Sequence, residues 1–332
     1  MTKHFLVSEF SAFARGVEVV RPSSPMSSFL PTLKLLYATS REDFSTRTAQ
    51  SHFTKALKVL AASRVVLFPR EMREYHELRI AEKFQETLKT RDRLYFARHK
   101  YHLSKKFTLR QRVRAAVDHH AFEAARFGRD YVQRVYRSEG ILLWERMCDD
   151  HRFAMTLAAS EDNRHEGELS VVLSVDGVRL QRLSFSYVNN ALFAAGGQYT
   201  LMITRNQSYR PPEKKLFELY FKQNSTQLFS LAALGGLAAA NEFPDVLAIR
   251  HDAQIAYETS YDAGFRNSYS GLWEKYGAVE VDASVYRLRI PLETRPLDEV
   301  SASHRNRARN RRAHWDEIRD SAQRTLRGYR VG

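Results

Sequence analysis

The segment SVVLSVDGVRLQRLSFSYV, residues 170–188, decides the fold predicted for this chain. Residues of high β propensity fill both of its halves, and Asp176-Gly177 separates them. Asp and Gly accept the positive φ that a tight primed turn demands, so the segment predicts an antiparallel hairpin. Further β-rich runs at 152–158, 192–195 and 199–204 extend the hairpin to an antiparallel sheet.

The chain before this sheet has a helical pattern. Apolar residues recur at helical spacing, for example Phe53, Leu57 and Leu60. We therefore predict an α+β protein whose parts differ in texture along the chain. They are a loop or partly ordered lead at 1–28, a helical region at 29–145, and a mixed, mainly antiparallel sheet with helices at 146–332.

The chain after the hairpin returns to helices and then to strands. Two helices are predicted at 213–221 and 227–240, a strand at 245–250, a last strand at 286–291 and a terminal helix at 301–327. Strands followed by a helix opened by Arg-Pro and then another strand resemble the second half of an acyl-CoA-dependent N-acetyltransferase fold. The segment from Tyr209 to Pro212 stands where those enzymes place a glycine-rich pyrophosphate loop.

The charge balance predicts an anionic partner. The chain has 52 Lys and Arg against 38 Asp and Glu, a net charge of +14. Such a surface attracts an anionic ligand, a lipid surface or nucleic acid, and the attraction weakens as salt rises. For nucleic acid the charge is the only support, because no recognition motif accompanies it.

The predicted location is the cytoplasm. The single Cys148 forms no internal disulfide, and residues 1–20 lack the continuous apolar core of a signal peptide. The longest apolar run, 228–240, is too short to span a bilayer and predicts a buried helix instead. Peripheral attachment at the inner membrane is a further hypothesis that the positive charge suggests.

Several short motifs in fixed order resemble the VirK/YbjX family of bacteria. The matching pieces are Gly167-Glu168-Leu169, Leu183-Ser184-Phe185-Ser186, Gly196-Gly197-Gln198, Tyr209-Arg210-Pro211, Asn267-Ser268-Tyr269 with Trp273-Glu274, and Arg305 to Arg312. Members of this family are linked to the Gram-negative cell envelope and to virulence. The resemblance therefore implies an envelope-related role, but it implies no particular reaction.

Three residues are candidates for catalysis. His251 and Asp252 close the predicted strand at 245–250, and a His beside a carboxylate can act as a general base near neutral pH. The alternative is a solvated loop His, since neighbours in sequence need not face each other. Glu274 belongs to the motif with Trp273, which we expect to pack a short helix onto the core.

Six residues are candidates for ligand binding. Gly bares the main chain to a ligand, although a simple turn between strands explains a Gly pair equally well. The basic residues at the start of the predicted helix at 213–221 form an anion site or an exposed basic turn. The candidates are Gly196, Gly197, Arg210, Lys214, Ser268 and Tyr269.

The basic C-terminal helix is the candidate surface for an anionic partner. Its charges are expected to spread around the helix, and a solvated basic helix is the alternative. No metal site is predicted, because no carboxylate completes a familiar helical spacing with His99, His102, His119 or His120. The candidate residues are Arg305, Arg307, Arg309, Arg311 and Arg312.

The leading functional hypothesis is acyl or aminoacyl transfer in the C-terminal half. Arg210 would hold a phosphate of an acyl-CoA or aminoacyl donor, and His251 would act as base. The second hypothesis is a non-catalytic basic adaptor that binds anionic lipid or an envelope-assembly partner through the terminal helix and the basic region 91–114. A nucleic-acid-binding protein is the third.

Overall fold

The computed structural model describes residues 31–37, 52–80, 94–137, 139–160, 164–193 and 197–331. The predicted lead at 1–28 lies outside these residues. A helical segment at 31–37 precedes a series of helices in the first half of the chain. These are α1 (His52–Ser63), α2 (Pro69–Ile80), α3 (Tyr95–Arg98), α4 (Leu109–Arg126) and α5 (Arg129–Arg137).

The second half of the chain is organised around an eight-stranded sheet of order β1-β2-β3-β4-β5-β6-β8-β7. All neighbouring strands are antiparallel except β5 and β6, which are parallel. The strands are β1 (Ile141–Cys148), β2 (His151–Ala159), β3 (Leu169–Val175), β4 (Val178–Asn189), β5 (Tyr199–Ser208), β6 (Asp245–Ile249), β7 (Val279–Glu280) and β8 (Val285–Arg289). The predicted α+β class is confirmed.

Helices cover both faces of the sheet. Along β2, Phe153 packs against Phe221 on one face, whereas Thr156 points to the opposite face and shares a small cavity with Val135 of α5. The helix Ala302–Arg327 packs along the helix Thr226–Ala240 and also reaches β1. The later helices are α6 (Lys214–Tyr220), α7 (Thr226–Ala240), α8 (Asp262–Ser268), α9 (Ser270–Lys275) and α10 (Ala302–Arg327).

Two hydrophobic clusters hold these elements together. The larger contains the inward residues of the sheet together with the buried side of α7, which is the buried helix predicted at 227–240. The smaller lies between α2, α3 and α4 and includes Met72, Tyr75, Phe96 and Val113. Tyr95, Phe96 and Phe107 of the basic region 91–114 fall in these clusters and are buried.

The turn predicted at Asp176-Gly177 is confirmed. Asp176 and Gly177 have φ values of 49° and 82° and connect β3 to β4. The strand predicted at 192–195 is wrong for residues 192 and 193, because Asn190–Phe193 forms a 3₁₀ turn, and residues 194 and 195 lie outside the described ranges. Asn189 accepts the main-chain N–H of Ala191 at 2.9 Å through its side chain, which stabilises this turn over an extended chain. The first strand begins at Ile141, ahead of the change in texture placed after residue 145.

Candidate functional site

Strand β5 is the position at which the sheet changes direction. It is antiparallel to β4 and parallel to β6. Only Met202 and Ile203 of β5 pair with β6, after which β6 ends at Ile249 and β5 continues to Ser208. The two strands therefore separate toward their carboxyl ends. In open sheets, such a switch point is where a crevice for ligands forms.

A cleft of about 740 Å³ occupies this opening. It is bounded by the end of β5, the starts of α6 and α7, the chain after β6, and α8. Four of the six predicted ligand-binding residues line it: Arg210, Lys214, Ser268 and Tyr269. Residues that lie far apart in sequence thus form one site at the switch point, and this cleft contains most of the predicted ligand residues.

The free edge of β5 faces the cleft. The main-chain N–H of Asn206 donates to the Tyr269 hydroxyl at 3.1 Å, and the Asn206 side-chain amide donates to the Ser268 carbonyl at 2.9 Å. The N–H and C=O of one residue lie on the same edge of a strand, and alternate residues repeat that direction. The Asn206 carbonyl and the Ser208 N–H therefore also face the opening.

A buried carboxylate forms the floor of the cleft. Glu166 is only 7% exposed, accepts a charge-assisted hydrogen bond from Arg205, and accepts another from the Gln254 side chain at 3.1 Å. Burial raises the pKa of Tyr269 to about 12, and the nearby Glu166 charge acts in the same direction. Tyr269 therefore keeps its phenolic proton at neutral pH and can donate it.

The cleft also receives the amino-terminal end of the fifteen-residue helix α7. The Ser225 hydroxyl caps this helix by accepting the Leu228 N–H at 3.2 Å. Thr226 and Gln227 line the cleft, and their N–H groups have no acceptor within their own helix. Arg210 and Lys214 lie on the same side, so helix dipole and side-chain charge both favour an anion here.

The proposed catalytic pair does not form as the sequence suggested. The His251 ring bonds to the Ser270 hydroxyl through Nδ1 at 2.7 Å, and its Nε2 lies 3.5 Å from the Asp262 carboxylate. Asp252 faces away from His251 and pairs with Lys106 at 2.6 Å and with Arg250. The carboxylate beside His251 is thus Asp262, and His251 does not line the cleft.

Glu274 and Gly197 also lie outside the cleft lining. Glu274 is exposed and accepts a hydrogen bond from the Tyr286 hydroxyl at 2.7 Å. Gly197 accepts a bond from the Asn189 side chain at 3.2 Å through its carbonyl, and a side chain at Gly197 would project into open space. Gly196 lies outside the residues that the structure describes.

The arginines of α10 differ in their surroundings. Arg305 is part-buried and donates to the Leu297 carbonyl at 3.0 Å, which fastens the loop before the helix. Arg309 is exposed and donates to the Asn306 side chain at 3.1 Å. Arg307, Arg311 and Arg312 line a second cleft that is separate from the first. The five charges therefore do not form one uniform surface.

A buried His-Glu cluster on α4 was missed because the spacing argument overlooked Glu123. Its carboxylate lies 3.2 Å from His119 Nε2 and accepts hydrogen bonds from Tyr131 and Tyr136 at 3.0 and 2.6 Å. His119 Nδ1 accepts the Tyr187 N–H at 3.1 Å. Both His119 nitrogens are thus engaged by protein groups, and a metal would have to displace one of them. We interpret the cluster as a structural network.

Sequence reasoning also missed the carboxylate at the floor of the cleft, Glu166, and its two hydrogen-bond partners, Arg205 and Gln254. Glu166 immediately precedes Gly167, whose φ of +138° and close approach to Phe185 tolerate no side chain. The neighbouring Gly167-Glu168 motif was therefore a signal for this position. Arg205 lies within β5 and Gln254 follows β6, and only the parallel pairing of β5 with β6 brings them together.

Comparison with known proteins gives one result that covers most of the chain. No curated protein and no solved structure matches it. Within the described ranges, none of the helices is both long and apolar enough to cross a lipid bilayer. The model of a protein family of unknown function, DUF535, matches residues 50–324. The chain, with its switch-point cleft inside the matched region, therefore belongs to the DUF535 family.

Proposed function

We propose that this protein is an acyltransferase whose donor carries the acyl group on a phosphorylated, amide-containing arm, as acyl-CoA does. One observation carries the proposal: the unpaired edge of β5 and the amino-terminal end of α7 face the same 740 Å³ cleft. The edge suits an extended amide chain, and the helix end suits a phosphate. The strand order around this parallel pair is consistent with the resemblance to the N-acetyltransferase fold.

The donor arm would lie along β5. An extended amide chain can pair with an exposed strand edge through main-chain hydrogen bonds. The Asn206 carbonyl and the Ser208 N–H would be its partners, while the Asn206 N–H is already held by Tyr269. This arrangement would direct the acyl end of the donor toward Tyr269 and Glu166.

The phosphates of the donor would lie at the start of α7. The main-chain N–H groups of Thr226 and Gln227 would donate hydrogen bonds to the phosphate oxygens, and Arg210 and Lys214 would supply charge. The segment after β5 has no glycine-rich loop, so side-chain cations would replace some of the main-chain contacts that such a loop makes. We therefore expect binding that depends strongly on Arg210.

The transfer step would use groups that line the cleft. The acceptor amine or hydroxyl would attack the thioester carbonyl, its proton passing to Glu166 directly or through a water. Collapse of the tetrahedral intermediate would break the carbon–sulfur bond, and Tyr269 would donate its proton to the departing thiolate. Arg205 and Gln254 would hold the Glu166 carboxylate in position.

Titration calorimetry with CoA and acetyl-CoA tests the donor site. We expect saturable binding that Arg210→Ala weakens about tenfold, as for a lost charge-assisted contact to phosphate. Lys215→Ala is the matched control, because Lys215 is exposed, lies close in sequence and does not line the cleft. The proposal fails if neither compound binds, or if the control loses as much affinity as Arg210→Ala.

The catalytic assignment has its own test. Tyr269→Phe should lower the rate of acetyl transfer to an amine acceptor about a hundredfold while leaving CoA affinity within about twofold. His251→Ala separates this assignment from the sequence-based one, in which His251 is the base. If His251→Ala greatly lowered the rate of acetyl transfer while Tyr269→Phe hardly changed it, the role given to Tyr269 would be overturned.

The cellular setting is proposed from the resemblance to the VirK/YbjX family. We propose an envelope-related or virulence-related acceptor, modified from the cytoplasmic side by a protein attached peripherally to the inner membrane. The net charge of +14 supports such attachment. With aminoacyl-tRNA as donor, the acceptor would attack an ester carbonyl, and the carbon–oxygen bond would break to release the tRNA hydroxyl, protonated by Tyr269. Rates of transfer from acetyl-CoA and from aminoacyl-tRNA would distinguish the two donors.

A non-catalytic adaptor is the second candidate. Exposed Arg307 and Arg309 on α10 support it, since cations at a surface contribute about 1 kcal/mol each at an anionic membrane. Sedimentation with phosphatidylglycerol vesicles should then weaken as salt rises and after charge reversal at these positions. Nucleic acid, the third candidate, should show the same salt dependence with short RNA in place of vesicles.

A further inference from the structure

A second cleft of about 530 Å³ lies beside the first, across the turn that joins α6 to α7. Gln223 lines the second cleft, whereas the next residue, Asn224, lines the first and accepts the Trp315 indole N–H at 3.0 Å. The walls come from the end of α9, the loop after β8 and the first half of α10. The proposed acyl transfer uses none of this surface.

The lining of this cleft is strongly cationic. Basic side chains reach it from all three segments: Lys275, Arg295, His304, Arg307, Arg311 and Arg312. Glu293 is the carboxylate of the lining, and it is paired with Arg289 at 3.0 Å. Among the residues that the structure describes, no ion pair joins any of these six basic side chains to a carboxylate.

The helix presents three of these basic side chains on one side. His304, Arg307 and Arg311 are spaced by three and four residues, so they lie on one side of α10. Arg312 donates to the Arg295 main-chain carbonyl, which ties the loop to the helix at the mouth of the cleft. Arg311 lies over the Trp315 ring, with its guanidinium carbon 5.9 Å from the ring centre.

Two features of this arrangement indicate a ligand. Several like charges around one concavity repel one another unless an anion balances them. In addition, Arg311 Nε is buried without a hydrogen-bond partner among the described residues, which is costly for a guanidinium donor. A salt-bridged structural helix would show paired charges, and α10 does so only further along, for example between Arg319 and Asp316.

We propose that this second cleft is a binding site for the phosphate group of a compact organic phosphate. Arginine forks match the oxygens of a phosphate in a way that isolated surface charges do not. The cations converge on a concave space instead of spreading over a flat face, so a group that enters the cleft is favoured over a planar membrane surface. This inference does not rest on the acyltransferase proposal.

Calorimetric titration of inorganic pyrophosphate tests the site. Arg307→Gln and Arg311→Gln should each weaken binding about tenfold, whereas Arg309→Gln, a matched change on the exposed side of α10, should alter it less than about twofold. Arg307 is exposed, so its variant should remain folded even if Arg311→Gln does not. Every titration is repeated in a protein that also carries Arg210→Ala, a substitution expected to weaken binding at the first cleft only.

The outcomes separate this site from the first cleft. If Arg307→Gln weakens pyrophosphate binding and does so equally in a protein that also carries Arg210→Ala, the second cleft is supported, whether or not CoA binds. The proposed phosphate site would be overturned if pyrophosphate showed no saturable binding. It would also be overturned if Arg309→Gln lost as much pyrophosphate affinity as Arg307→Gln, or if only Arg210→Ala weakened binding. Vesicles of phosphatidylglycerol and phosphatidylcholine then identify the source of the phosphate. Release of bound protein from these vesicles by pyrophosphate supports a lipid headgroup, and pyrophosphate binding without vesicle binding supports a soluble phosphate.

Discussion

Replacing Gly236 by alanine should destabilise the packing of α7 against α10, and α7 is the helix whose start lines the donor cleft. A Cβ at Gly236 would lie 2.3 Å from the Arg319 carbonyl oxygen, 2.8 Å from the Ala322 Cβ and 3.0 Å from the Gln323 nitrogen. Two of these three atoms are main chain, so the helices must separate by most of an ångström. Overpacking of this kind costs about 2 to 4 kcal/mol, and the better helix propensity of alanine returns about 1 kcal/mol.

The net loss should therefore be about 1 to 3 kcal/mol in the free energy of unfolding, measured by equilibrium urea denaturation. The neighbouring Gly235 provides the control. A Cβ there would meet only the Ile290 Cγ2 at 3.1 Å and the Arg319 Cγ at 4.0 Å, both side-chain atoms that can move. Gly235→Ala should stay within about 1 kcal/mol of wild type. Equal losses in the two variants, or no loss in Gly236→Ala, would refute the close-packing argument.

Two further predictions concern stability. The pKa of Glu123 is lowered from 4.5 because contacts with His119 and His120 outweigh burial, and burial lowers the pKa of His120 from 6.5 to about 4. In each case the unfolded state binds the proton more readily, so the free energy of unfolding should fall as pH decreases from about 6.5 toward 4. If the free energy of unfolding from urea titrations did not change between about pH 6.5 and 4, this prediction would be contradicted. Trp273→Phe removes the buried indole N–H that donates to the Ile249 carbonyl at 2.9 Å, and should cost about 2 kcal/mol. Trp315→Phe, at a half-buried position, should cost less by the same method, and the reverse order would show that the Ile249 bond is unimportant.

The local features of the fold could be predicted because local chemistry determines them. Asp176-Gly177 forces its turn through backbone conformation alone. Residues 192 and 193 do not form the predicted strand, because the Asn189 side chain stabilises a turn at Asn190–Phe193. Hydrophobicity alone does not reveal that contact. The two-residue strand β7 is too short for any period to show, and it exists only through pairing with β8.

The candidate site could be predicted only in part. Arg210 and Tyr269 were identified from motifs, but their meeting depends on the parallel pairing of β5 with β6, which involves residues more than forty positions apart. The same pairing brings Arg205 and Gln254 to Glu166, and no sequence period encodes that contact. His251 and Asp252 show the reverse case, since adjacent residues point to different partners.

Hydrogen–deuterium exchange with and without CoA tests the central claim most directly, because it reports where the donor lies. CoA bound in the first cleft should slow exchange of the amides at 205–210, on the free edge of β5, and at 225–228, at the start of α7. Arg210→Ala should reduce that protection at equal CoA concentration. Unchanged exchange in both segments at saturating CoA, or protection confined to 304–312 in the second cleft, would contradict the proposed donor site.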